Sequence, residues 1–311
     1  MSLMEEREGR VLVVKLDNAP SHLIDRGVIA GLTEIVRRME GDRTLGALVL
    51  TGAEPGRFLT HYDIDEILEG AEGVTVPLAP RPAAAAGRAV GAAARVPGGR
   101  RALRRTPLRG VADLDATTGL FRRLERLDKV VLAAIGGPAI GAACELALAC
   151  DLRYVADDVE AIGSLEIAQG FAPGAGGTQR QARALGPSRA LEAILEGRLL
   201  SASEALATGF AHRVVPADRL LAEALETAHR LSRRAPVAVA AVKRALYDGA
   251  GRPLRDGLAL ERSWFMAALS RPAARRALQR YVDELAEAGR GPWEDPSAFE
   301  PWREGTAVEL Y

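Results

Sequence analysis

Hydrophobic and polar positions alternate along this chain in blocks that predict a mixed α/β fold. Val11 to Leu16 (VLVVKL) has the continuous apolar character of a buried strand, and so does Leu45 to Leu50 (LGALVL), which Thr51-Gly52 ends. Between them Val28, Ile29, Leu32, Ile35, Val36 and Met39 recur at helical spacing, and Asp25 stands where a capping residue belongs. A strand, a helix and a strand in that order make a βαβ unit, so a parallel sheet with right-handed crossovers is expected. Asp115 to Leu127 has helical spacing. The stretch 129–181 then reads as a strand (Val130 to Ile135), a glycine-rich turn (Gly136 to Gly141) and an apolar helix bearing Glu145. A further strand (Leu152 to Val155) leads to Glu166 and a second glycine-rich loop, Pro173 to Gly177, closed by Thr178 and Gln179. Ser188 to Glu196 is helical in pattern, and Ser201-Ala-Ser-Glu204 is a capping box opening a helix that ends near Gly209. From Arg219 the pattern is helical through Leu246 and again from Leu254 to Ala288. The tail with Pro292, Pro296 and Pro301 reads as extended.

Composition narrows the partners. The 311 residues are 48% hydrophobic, enough for a full core, and carry 41 basic and 41 acidic side chains. A net charge of zero gives no global field toward nucleic acid or a membrane surface. No apolar run approaches the ~18 residues of a bilayer span, and the acidic N-terminus MSLMEEREGR has no signal-peptide character, so a cytoplasmic protein is expected. Cys144 and Cys150 fit neither a metal clip nor a disulfide framework and read as small buried hydrophobes in a reducing compartment. His22, His61, His212 and His229 lack paired ligand spacing, so no metal is expected. One segment departs from the rest. Ala71 to Gly110 is rich in Ala, Pro and Gly, and its part from Gly73 to Gly110 holds eight arginines and no acid. It reads as a mobile or partly helical insertion, or as a basic flap over an anionic ligand. Nucleic-acid contact is the weaker alternative, because no aromatic residue is interleaved to stack on bases.

The carboxylates Glu145 and Glu166, each in apolar surroundings beside a glycine turn, are the ingredients of general acid–base chemistry. The order GxxxGAACELALACDLRYV followed by LEIxxGFAPGAGGTQR resembles the signature of the enoyl-CoA hydratase, or crotonase, superfamily. The segment 197–216 (GRLLSASEALATGFAHRVVP) resembles another of its motifs. The resemblance runs from about Val11 to Leu285, apart from the 71–118 region. It implies the crotonase-like fold, a spiral of ββα units over residues 1–220 followed by a helical region, 221–311, that mediates trimer contacts, in a homotrimer or hexamer.

The resemblance also implies roles. Glu145 and Glu166 match the catalytic glutamates, with one extra residue of separation lying in the ADDVEAIG stretch. Together they would hold a water, one drawing a proton from it as it attacks Cβ of a 2-enoyl-CoA thioester, and a proton would be delivered to Cα. The backbone N–H groups of Tyr62 and Ala142 would stabilise the thioester oxygen. His61, Asp63, Gly141, Pro173 and Gly174 would line or shape the substrate site, the 173–177 loop positioning the second glutamate. Asp63 would also cap or hydrogen-bond its turn, and His61 would polarise the pocket or simply pack there. Tyr62 and His61 depart from the small residues of the family loop, and Ala142 replaces its glycine. Lys243, Arg244 and Tyr281 lie on helices that approach the adenine end of coenzyme A in relatives. No cofactor is implied beyond the coenzyme A of the substrate. An isomerase or specialised dehydratase of the same family, and a non-catalytic RNA- or CoA-binding protein, stay open as alternatives.

Overall fold

The computed structural model describes residues 2–74, 77–291 and 294–311. The chain opens with a hairpin that the apolar pattern does not reveal. Strand β1 (Ser2–Glu8) pairs antiparallel with β2 (Val11–Asp17), Glu5 opposite Val14. As the edge strand of its sheet β1 needs no apolar core face of its own, and its acids pair outward, Glu6 with Lys15 and Glu5 with Arg38. Helix α1 (Arg26–Gly41) follows. Asp25 caps it by accepting from the Val28 N–H at 2.7 Å, and its buried residues are the six that the spacing singles out.

Strand β3 (Ala47–Gly52) then adds parallel to β2. Helices α2 (Ile64–Glu72), α3 (Pro80–Ala93), α4 (Gly99–Leu103) and α5 (Arg109–Arg126) come before β4 (Val130–Ile135). The insertion is thus helical over most of its length. Its alanines favour helix, and Pro80 sits at the helix start, where a missing N–H costs nothing. Thr75 and Val76, within it, lie outside the described residues.

Beyond β4 come β5 (Ala139–Ile140), α6 (Ala142–Ala149), β6 (Leu152–Ala156), β7 (Ile162–Gly163) and a 3-10 turn at Glu166–Gln169. Next are α7 (Gly177–Leu185), α8 (Pro187–Glu196), β8 (Leu199–Leu200), α9 (Ala202–Thr208) and β9 (Arg213–Val215). The main sheet has the order β1-β2-β3-β4-β6-β9, parallel from β2 onward, and a small sheet has the order β5-β7-β8. Every residue of α6 is buried. The capping box at Ser201 and Glu204 is formed, and Gly209 closes its helix.

Helix α10 (Leu220–Leu231) packs across β3 and β4, burying Leu220, Ala224 and Ala228. Helix α11 (Pro236–Arg244) and a π-turn (Ala245–Gly249) lead to α12 (Leu254–Leu269) and α13 (Pro272–Ala288). These last two expose Leu254, Leu258, Phe265, Met266, Leu278 and Val282. The tail is not extended where it is described. Asp295 caps and Pro296 starts α14 (Pro296–Glu304), whose Trp302 donates to Glu284 on α13 at 2.8 Å. Pro292 lies outside the described residues.

Lys243 is buried at the root of the helical region. Its ammonium donates to the Leu124 and Lys129 carbonyls, both at 3.0 Å, and to Asp151 Oδ2 at 2.8 Å. Those three bonds use all its protons, so it is a structural cation rather than a contact for the adenine end of a ligand. Tyr247 donates to Asp151 Oδ1 and the Val131 N–H to Oδ2, each at 2.8 Å. Arg244 sits against Asp248 and the Arg126 carbonyl, and Tyr281 lies edge-on to Trp302.

Candidate active site

A cavity of about 390 Å³ opens where the loops after β3 and β4 meet the insertion. Its lining brings together His61, Tyr62, Ala142, Glu145, Glu166 and Gly174 of the residues picked out in the sequence. Asp63, Gly141 and Pro173 stand outside the lining. Asp63 instead caps α2 by accepting from the Glu66 N–H at 3.1 Å, Gly141 makes the turn into α6, and Pro173 packs beside Gly177.

The loop carrying Tyr62 is fixed by a parallel bridge to Ile24. The Ile24 N–H donates to the His61 carbonyl at 3.0 Å, and the Asp63 N–H donates to the Ile24 carbonyl at 2.7 Å. In that pattern the N–H and C=O of Tyr62 turn to the opposite side. The carbonyl accepts from His61 Nδ1 at 2.8 Å, which places the proton on Nδ1 and leaves Nε2 an acceptor in the neutral ring. Ala142 opens α6, where a first-turn N–H has no intrahelical acceptor. Among the described residues neither the Tyr62 nor the Ala142 N–H has a protein acceptor.

Gly141 makes this junction possible. It holds φ 57 and ψ −122, and a Cβ there would stand 3.2 Å from His61 Cβ and 3.4 Å from Glu166 Oε1. The turn therefore sets Ala142, His61 and Glu166 side by side.

Glu145 lies on the first turn of α6 and is only 3% exposed. Its Oε1 accepts from the Ala175 N–H at 2.9 Å and the Gly177 N–H at 2.7 Å. The second glycine-rich loop thus holds the first glutamate rather than the second, because its N–H groups turn inward onto α6. Burial raises the Glu145 carboxyl to about 7, the two N–H bonds oppose that rise, and the negative charge of Glu166 adds to it. Glu166, half-buried on its 3-10 turn, is also raised by burial, against the pull of nearby N–H groups, the Ser164 hydroxyl and His61. Its Oε2 is buried without a hydrogen-bond partner among the described residues. Glu145, lifted to about 7 beside a second carboxyl that burial also raises, can exchange a proton with a bound molecule at physiological pH.

Gly177 is needed for this arrangement. A Cβ there would fall 2.8 Å from both Glu145 Oε1 and Pro173 Cβ. Gly177→Ala is therefore expected to displace the carboxylate and lower kcat by roughly 10²-fold in a folded protein, which steady-state kinetics and circular dichroism would check together.

The sequence reading missed the opposite wall. Ile64, Ile67, Val111, Leu114 and Phe171 supply its apolar surface, and Glu66, Asp113 and Thr117 its polar part. Asp113, 6% exposed, accepts from Arg26 at 2.7 Å and from the insertion's Arg104 at 3.1 Å. One signal for it was available: an acid on the apolar face of α5, in step with Ala116, Thr117 and Leu120.

The sequence model of the enoyl-CoA hydratase/isomerase family matches residues 113–295. The short-chain-enoyl-CoA hydratase of Clostridium acetobutylicum is 30% identical over 281 residues, covering 90% of this chain and 94% of the relative. The 2,3-dehydroadipyl-CoA hydratase of Escherichia coli K12 is 41% identical over 151 residues, 49% of this chain and 59% of the relative. Among solved structures, an enoyl-CoA hydratase from Bacillus anthracis superposes with a TM-score of 0.73 at 24% identity, covering 91% of this chain and 97% of that one. The chain belongs to the enoyl-CoA hydratase/isomerase family and has its crotonase-like fold.

Proposed function

We propose that the protein is an enoyl-CoA hydratase, adding water across the 2,3-double bond of a 2-enoyl-CoA thioester. The observation that carries this reading is the pair Glu145 and Glu166 in one cavity beside two N–H groups that have no acceptor among the described residues. The thioester carbonyl oxygen takes the Tyr62 and Ala142 N–H groups, which stabilise the enolate by roughly 3–4 kcal/mol each. Glu145 has Oε1 committed to two N–H donors, so its other oxygen receives the proton of a water that both glutamates hold. The water oxygen bonds to Cβ, the π electrons move toward the thioester oxygen, and Glu166 delivers a proton to Cα. Retaining both carboxylates favours hydration over double-bond isomerisation, which needs one.

No cofactor enters beyond the coenzyme A of the substrate. The exposed apolar faces of α12 and α13 suit burial against further copies in a trimer or hexamer, with the spiral core over 1–220 and the helical region 221–311. Among the described residues no helix is long and apolar enough to cross a membrane, and a cytoplasmic location is part of the same proposal.

The test is steady-state hydration of 2-enoyl-CoA thioesters of increasing chain length, beside a 3-enoyl thioester as isomerase substrate. Turnover of the 2-enoyl series is expected. A folded protein that binds acyl-CoA yet hydrates none of them would overturn the reading.

A further inference from the structure

A second pocket, of about 280 Å³, lies at the end of α6 away from Ala142, where Leu148 and Cys150 belong to its lining. Helices α5 and α7, strand β6 and the π-turn converge there. The pocket shares no lining residue with the catalytic cavity. Five arginines line it, Arg122, Arg126, Arg153, Arg180 and Arg183, against three acids.

The acids are engaged. Glu125 accepts from Arg180 Nε at 2.7 Å. Asp151 holds Lys243 and Tyr247, each at 2.8 Å, and Asp248 pairs with Arg126 at 3.2 Å and Arg244 at 3.7 Å. The cations keep donors to spare. Arg153 and Arg180 are only 7% and 9% exposed. Arg153 directs Nε to the Phe210 carbonyl and Nη1 to those of Ala147 and Cys150, so its Nη2 has no acceptor among the described residues. Arg180 directs Nε to Glu125 and Nη1 to the Ala175 carbonyl at 2.8 Å, and its Nη2 likewise has none. Both Nη2 groups stay accessible rather than sealed in the protein, and both arginines line the pocket, so these donors face its interior. The exposed Arg122 and Arg183 take part in no hydrogen bond or ion pair among the described residues.

We infer that this pocket is a binding site for a phosphate group, separate from the catalytic cavity. A guanidinium group presents paired N–H donors in a planar fork that matches phosphate oxygens. Arg153 and Arg180 are already fixed by bonds to the protein, so little side-chain freedom is lost when an anion meets their Nη2 groups. Arg153 is a buried cation bonded to carbonyls and to no carboxylate, and an anion would supply its missing counter-charge. Arg122 and Arg183 would add donors from the solvent side. Four guanidinium groups suit the several oxygens and double charge of a phosphate better than a single carboxylate. The group belongs either to a small phosphorylated molecule or to the phosphates of coenzyme A. The inference goes beyond the hydratase reading and does not rest on it.

Isothermal titration with inorganic pyrophosphate in about 0.15 M NaCl tests it. Wild type is expected to bind. Arg122→Gln and Arg183→Gln should each weaken binding by roughly 5-fold, and the double variant by roughly 20-fold, with circular dichroism unchanged. Arg153 and Arg180 are left in place because their bonds hold neighbouring backbone, Arg180 the very loop whose Ala175 N–H reaches Glu145. The control is Arg81→Gln with Arg88→Gln on α3, two exposed arginines outside the pocket that also lack an ion pair among the described residues. That double variant should bind within about 2-fold of wild type, since general attraction between exposed charges is screened at this salt. No binding by wild type would overturn the inference, and so would an equal loss in the control, which would mean a diffuse basic surface. Repeating the titration with coenzyme A at saturation separates the two sources. Unchanged pyrophosphate affinity assigns the pocket to a separate phosphorylated molecule, and competitive loss assigns it to the phosphates of coenzyme A. The Arg122 and Arg183 effects sustain the site in either case.

Discussion

Glu145→Gln is expected to lower kcat by roughly 10²–10⁴-fold and, in the same protein, to raise folding stability at neutral pH. The loss follows from the proposed role, since an amide cannot take a proton from water. The gain follows from burial. The folded carboxyl is lifted from an ordinary 4.5 to about 7. Below pH 4.5 both folded and unfolded chains carry the proton, and the native protein keeps its full stability. Between about 4.5 and 7 the unfolded chain sheds the proton first, so stability falls as pH rises. Above 7 the loss is complete, at about 3 kcal/mol from ~1.4 kcal/mol per pKa unit. Glutamine has no such titration, and its carbonyl oxygen can still accept from the Ala175 and Gly177 N–H groups. Urea unfolding of wild type and variant from pH 4.5 to 8 should show the curves separating as pH rises, with the variant above. Curves that stay parallel would mean that Glu145 is not held near 7. The wild-type kcat/KM should fall on the acidic side of about 7, where Glu145 becomes protonated. Glu166→Gln should lower kcat by a similar factor.

The second large effect is on stability alone. Lys243→Met is expected to destabilise the fold by about 3–5 kcal/mol, because it leaves Asp151 buried without its cation. Burial already pushes the Asp151 carboxyl up, and Lys243 is the foremost group holding it down. Adding Asp151→Asn to Lys243→Met should recover part of the loss. Denaturant midpoints of wild type, single and double variants measure this, and a single variant as stable as wild type would contradict it. Neither residue lines the cavity, so kcat of the folded fraction should change little.

Much of this was readable from the sequence where one local pattern decides the outcome. The six apolar positions of α1 and its Asp25 cap are local, and they appear in the structure as read. So do the strand, glycine turn and helix of the 129–181 stretch, because its glycines must adopt turns that other residues resist, as Gly141 does at φ 57. The roles that need three elements to meet were not readable. Asp113 receives Arg26 and Arg104 from separate parts of the chain, and no spacing announces that meeting. The resemblance puts Lys243 on a helix that approaches the adenine end of coenzyme A, yet tertiary packing buries it. The edge strand β1 escaped notice because an edge can be acidic and polar. The tail helix escapes a reading in which three prolines mean extended chain, because Pro296 at a first helical position starts a helix.

The wholly buried helix α6 has a consequence for how substrate preference can drift. Glu145 is mounted in the core, where almost any change of volume is felt across the domain. The cavity wall on α2 and α5, which the proposed function sets against the acyl group, is mounted near the surface, and Ile64 and Leu114 are themselves partly open to solvent. Chemistry and selectivity therefore rest on parts of unequal tolerance. Substitutions at 64, 67, 111 and 114 can retune which chains enter while the proton-handling half stays as it is. A family lineage can thus change its diet without relearning its reaction.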